Sequence, residues 1–138
     1  MDMECATVEL DSTVAAVGRA RRIVREYAAG MPVELVADAE LLTSELVTNA
    51  VRHGRPGVRL EMARERSSLW VSVHDQGGDL PVLKSTRPDR TAVSGRGLRI
   101  VETLASSWGV VARPGQLGKA VWFRIDDPNG EPGRQTQS

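Results

Sequence analysis

Cysteine, lysine and long apolar runs are all scarce in this 138-residue chain, and each scarcity excludes something. Cys5 is the only cysteine, so no intramolecular disulfide and no cysteine-built metal cluster can form; that usage suits a reducing compartment, and a cytoplasmic protein is expected. No stretch approaches the roughly 18 consecutive apolar residues of a membrane span, and the acidic start Met1-Asp2-Met3-Glu4 has no apolar signal core. Neither membrane insertion nor export is expected. Lys84 and Lys119 are the only lysines, and the 18 basic residues are balanced by 18 acidic ones. A net charge of +0 gives no field that would draw the chain to nucleic acid or to an anionic membrane, so any anion has to be held by local geometry. Without a basic field around them, Trp70, Trp108 and Trp122 read as packing or surface-patch residues, not as platforms for stacked bases.

The length fits one compact domain, expected over residues 1–126, with the polar, Pro- and Gly-containing residues 127–138 as a disordered tail. Residues 5–10 read as a short strand, and Asp11-Ser12-Thr13 offers capping side chains to a helix that ends near Gly30. Pro32 suits the first turn of a second helix running to His53, with Gly54 as its stop. Val58, Leu60 and Met62 alternate with polar partners, as do Leu69, Val71 and Val73, which predicts two half-buried strands joined by a polar hairpin at residues 64–68. Residues 75–94 carry Gly77-Gly78, Pro81 and Pro88 and no apolar period, so a long functional loop, a lid, is expected there. Gly95-Arg96-Gly97 opens a third helix, and residues 108–112 and 120–125 form two closing strands. This order is not a strict alternation of strand and helix. It predicts an α+β two-layer sandwich, a mixed and mostly antiparallel sheet covered on one face by three helices.

Three sites along this pattern carry chemistry. With Leu41 set at zero and about 100° per residue, Leu35, Ala39, Leu42, Leu46 and Ala50 fall between about 100° and 180°, the buried stripe of the second helix. Glu45, Asn49 and His53 fall at about 40°, 80° and 120°, on the edge of that stripe and drifting into it. Polar groups facing inward cost free energy unless they are hydrogen-bonded or bind something. A carboxylate and a carboxamide four residues apart can offer oxygen to a hard cation and a base beside it, although a helix rim that satisfies itself has the same pattern. Asp75 ends an apolar strand just before Gly77, so its carboxylate can accept from the exocyclic amino group of a base; an ordinary turn is the alternative. Gly95, Arg96, Gly97 and Leu98 start a helix, where free N–H groups and the helix dipole favour phosphate. The segment is neither a Walker A loop nor a dinucleotide fingerprint. His53 on a helix edge and His74 on the outward side of a strand do not make a zinc pair.

Taken together and in order, Glu45-x-x-x-Asn49-Ala50-x-x-His53, Asp75-x-Gly77 and Gly95-x-Gly97-Leu98 with two closing strands resemble the ATPase domain of the GHKL superfamily, which spans gyrase, chaperone, histidine kinase and mismatch-repair ATPases. The resemblance covers roughly residues 8–125, and its specificity lies in the ordered set. Size, the helix motif and the ending Gly118-Lys119-x-Val121-Trp122-Phe123 are most similar to bacterial anti-sigma-factor serine/threonine kinases. At this length an intact sensor histidine kinase, with its helix pair, is not expected.

That resemblance implies ATP and Mg²⁺ as cofactors, with a sigma factor and an antagonist protein as partners, the antagonist being phosphorylated. Dimers are common among stand-alone relatives, so a homodimer is a further expectation. By the same resemblance Asn49 holds Mg²⁺ against the phosphates, and Glu45 orients or deprotonates the attacking hydroxyl. Asp75 reads the adenine amino group, Gly77 lets the base approach, the backbone of Gly95, Arg96, Gly97 and Leu98 cradles phosphate, and His53 orders the lid or the phosphate end or finishes the helix. Two positions depart from the family pattern. Asp79 stands where the second glycine of the Asp-x-Gly-x-Gly box belongs, and Ala120 stands where a hydroxyl near the adenine is expected. A non-catalytic module whose partner affinity is gated by ATP is therefore the competing expectation.

Overall fold

The computed structural model describes residues 4–52, 57–75, 95–112 and 119–129. In chain order these form β1 (Glu4–Leu10), α1 (Ala15–Tyr27), α2 (Val33–Arg52), β2 (Val58–Glu65), β3 (Ser68–Asp75), α3 (Gly95–Leu104), β4 (Ser107–Ala112) and β5 (Lys119–Asp126). The five strands make one sheet in the order β1-β2-β3-β5-β4. Every pairing in it is antiparallel, so the mixed sheet expected from the sequence contains no parallel pair among the described residues. Chain order breaks once: after α3 the chain enters at the far edge as β4 and returns through β5, which lies between β3 and β4.

Period-two alternation decides the two faces of the sheet. Val8 and Leu10, then Val58, Leu60 and Met62, then Leu69, Val71 and Val73, then Val121, Phe123 and Ile125 sit opposite one another in register and belong to the core. Phe123 is 0% exposed, and burying a side chain of that kind contributes about 1.5–3 kcal/mol. Trp108 pairs with Phe123 and packs against the core, whereas Trp70 and Trp122 lie in the opposite row. Trp122 lies across Gly109, where an added Cβ would come 2.9 Å from its Nε1.

The helices close the inner face. Residues Leu35, Ala39, Leu42, Leu46 and Ala50 of α2 are buried, as its period predicts. Thr43 and Val47 are buried too, because α1 packs beside α2 and widens the covered arc. Glu40 joins these two helices, accepting from Arg25 Nε at 3.0 Å and Arg25 Nη2 at 3.2 Å.

The start of α1 differs from the expectation. Its N-cap is Val14 and no side chain caps it; Ala16 N donates to Thr13 O at 3.0 Å and Val17 N to Val14 O at 3.1 Å. A tight turn of backbone bonds takes the place of the expected Asp11-Ser12-Thr13 side-chain cap. At its other end Met31 N donates to Ala28 O across Gly30, whose φ of 94° favours glycine. The expected hairpin loop shrinks to Arg66-Ser67, because β2 and β3 pair out to Glu65 and Ser68. Asp127, expected in the tail, donates its N–H to Ser67 O at 2.8 Å, while residues 130–138 lie outside the described residues, as does the expected lid after Asp75.

Candidate functional site

The C-terminal half of α2 crosses the inner face of the sheet where β3 and β5 end and begin. Leu46, Asn49 and Ala50 of α2 there face Val73 and Asp75 of β3 and Lys119 and Val121 of β5 across a shallow cleft that encloses about 10 Å³. Ligand pockets usually hold about 300–1,000 Å³, so these residues make a floor and one wall. The floor is apolar, and three polar groups converge on it.

Asn49 is 7% exposed, and its Nδ2 is buried without a hydrogen-bond partner. A buried donor left unsatisfied costs about 1–3 kcal/mol, so something has to be gained by keeping it. Because an amide can present either its nitrogen or its oxygen at one place by turning over, this position suits an anionic or water oxygen in one orientation and a hard cation in the other. Asp75 is 8% exposed and follows directly from the pleat of β3, whose inward residues are Leu69, Val71 and Val73. Lys119 is its cross-strand partner, and Nζ donates to Asp75 Oδ2 at 3.3 Å.

The other expected residues spread around this pair. Glu45 lies one turn before Asn49, half-buried and outside the lining of the cleft, and among the described residues it makes no hydrogen bond or ion pair. Gly95, Arg96, Gly97 and Leu98 form the first turn of α3, so their backbone supplies the free N–H groups expected of a helix start. His53 and Gly77 lie outside the described residues. No group of three His, Cys, Asp or Glu side chains among the described residues could hold a metal ion.

One residue of the cleft was missed from sequence, and one was misplaced. Ala120 pairs with His74 in the outward row of the sheet and does not line the cleft. Lys119, its neighbour in the chain, stands on the inner face beside Asp75. The signal was available: Val121, Phe123 and Ile125 are the inward residues of β5, and two steps back along the same period is Lys119. Starting the strand at Ala120 hid it.

The sequence pattern of the family described as the histidine kinase-like ATPase domain matches residues 10–125. The chain belongs to that family. Comparison with curated protein sequences finds no match. Among solved structures, the fold is similar to a chain described as the RsbU and RsbW domains of Rv1364c from Mycobacterium tuberculosis, with 24% identity and a TM-score of 0.67. The similarity covers 89% of this chain and 32% of that one, so this chain spans about a third of the length of the chain it matches. For a histidine kinase-like ATPase domain the implied nucleotide is ATP, and the cleft fits it in kind: an apolar floor, a carboxylate at the end of β3 and a buried amide on α2. No helix among the described residues is long and apolar enough to cross a membrane.

Proposed function

We propose that this ATPase domain is a cytoplasmic serine/threonine protein kinase of the anti-sigma-factor type, which binds ATP with Mg²⁺ and phosphorylates an antagonist protein. The observation that carries the nucleotide part is the buried Asn49 amide, with its unpartnered nitrogen, in the same cleft as the Asp75 carboxylate. In this reading Asp75 accepts from the adenine amino group, and Gly77 lets the base lie close. Asn49 holds the cation, and Mg²⁺ supplies neutralisation of phosphate charge when bound. The N–H groups of Gly95, Arg96, Gly97 and Leu98 donate to phosphate oxygens at the start of α3, and the role proposed for His53 is to order the phosphate end.

Glu45 then takes the proton of a serine or threonine hydroxyl as the hydroxyl oxygen bonds to the γ-phosphorus. The bond from that phosphorus to the bridging oxygen breaks, and ADP leaves. A sigma factor is the second partner, and a homodimer is the assembly proposed. Residues 1–126 act as one domain in this reading, with 127–138 as its tail.

Calorimetry with ATP, with and without Mg²⁺, tests the cleft: Asn49→Ala should lose the Mg²⁺-dependent part of the affinity, and Asp75→Ala should weaken binding in both conditions. Equal affinity in all three proteins would remove the assignment. The placement of Glu45 outside the cleft lining favours one alternative, an ATP-gated binding module without transfer. γ-labelled ATP that stays intact while partner affinity changes with nucleotide would decide for it.

A further inference from the structure

Lys119 is the only lysine among the described residues, and it lines the cleft. Its side chain is a quarter exposed, so it is neither buried in the core nor loose on the surface. The β3–β5 register sets it directly opposite Asp75, and Nζ lies 3.3 Å from Oδ2. An ammonium carries three donors, and the bond to Asp75 uses one. The rest of the group faces a cleft whose floor, Leu46, Ala50, Val73 and Val121, is apolar. A carboxylate and an ammonium side by side above an apolar floor present an acceptor next to a donor. The edge of adenine presents the complement, an amino donor at position 6 beside an acceptor at N1.

We propose that Lys119 is a second base-reading residue of this cleft: it donates to the ring nitrogen N1 of adenine while Asp75 accepts from the neighbouring amino group. The inference rests on the ATP reading above and extends it to a residue that reading does not use. Ala120, which faces the other side of the sheet, takes no part in it. Lys119 also holds the Asp75 carboxylate in place through the 3.3 Å bond, so a simple substitution changes two things at once. An atom-level change in the ligand separates them.

Calorimetry on the full chain with ATP and with 1-deaza-ATP, in which N1 is replaced by C–H, provides the test. The unmutated protein should bind 1-deaza-ATP roughly tenfold more weakly than ATP, the size of one charge-assisted hydrogen bond. Lys119→Met should bind ATP roughly tenfold more weakly and no longer distinguish the two nucleotides, whereas Lys119→Arg should keep the distinction. If the unmutated protein binds both equally, or if Lys119→Met still separates them by the original factor, Lys119 does not read N1 and the inference fails alone. If the unmutated protein binds no ATP, the nucleotide reading fails and takes this one with it. Thermal melting of each variant checks folding, and the comparison of two ligands on the unmutated protein stands even if Lys119→Met does not fold.

Discussion

Arg64 on β2 caps the carbonyl end of α1, donating from Nη1 to Tyr27 O at 2.7 Å. The same nitrogen also donates to Ala29 O at 3.1 Å, and the Tyr27 hydroxyl donates to the carbonyl of Glu4 at 2.6 Å. Glu4 is the cross-strand partner of Arg64, so the loop closes. A cation at the last carbonyls of a helix satisfies orphan acceptors and complements the dipole. Replacing Arg64 with Met, which keeps most of the stem, should cost about 1.5–3 kcal/mol, the range for hydrogen bonds to a charged group. Tyr27→Phe should cost less, about 0.5–1.5 kcal/mol. Urea unfolding of both variants checks the order; Tyr27→Phe costing more would show that Arg64 is not the cap.

Tyr27 is the only tyrosine of the chain, so its titration can be followed without ambiguity. Burial raises its pKa above the ordinary 10.0, and the negative charge of Glu4 adds to the effect. The folded chain therefore holds the phenolic proton more tightly than the unfolded chain. Stability from this group is fully present below the unfolded value and is lost as the pH rises through the folded one. Ultraviolet titration should give a midpoint above 10.0 in buffer and near it in concentrated urea, with thermal stability falling across the same window. Identical midpoints in the two solvents would disprove it.

Asp38 and Glu34 lie one turn apart on α2, and burial, followed by the charge of Glu34, raises the Asp38 pKa above its ordinary 3.8. Here the folded chain again binds the proton more tightly, so the wild-type protein gains from this group as pH falls through its folded pKa. Asp38→Asn should stabilise the protein at pH 7 by about 0.2–0.5 kcal/mol, the size of a relieved like-charge pair four residues apart. The gain should shrink as the pH approaches 3.8, where Asp38 itself is protonated. Melting curves at several pH values measure this; a gain that does not change with pH would point to some other cause.

Most of this fold was legible in the sequence because period and face coincide in it. β2 and β3 alternate cleanly, and α2 carries its apolar residues on one stripe, so strand pairing and helix burial could be read directly. Thr43 and Val47 were not legible, because their burial comes from α1, a neighbour no local pattern announces. The start of α1 misled for a related reason: Asp11, Ser12 and Thr13 are good caps, but backbone bonds around Val14 served instead. Asn49 and Asp75 stand in one cleft, as their helix and strand positions suggested, while Lys119 depended on the parity of a strand whose start had been set one residue late.

Asn49 offers the sharpest contrast between folding and function. Its Nδ2 is buried without a partner, so the ligand-free protein carries a penalty of about 1–3 kcal/mol at this position. Leu46, Ala50, Val73 and Val121 line the same cleft, so an apolar side chain of similar size would find apolar neighbours. Asn49→Leu should therefore raise the melting temperature of the ligand-free chain by several degrees, since about 1 kcal/mol is worth about 2–8 °C in domains of this size. If the proposed ATP and Mg²⁺ site is right, the unmutated protein should melt higher with that ligand and the same substitution should abolish the rise, because the stabilisation by a ligand follows its affinity. Stability gained together with ligand response lost is the signature of a polar group kept for binding. A variant that melts lower than the parent would mean that Asn49 serves the fold, and the case for its role in the cleft would then rest on the calorimetry alone.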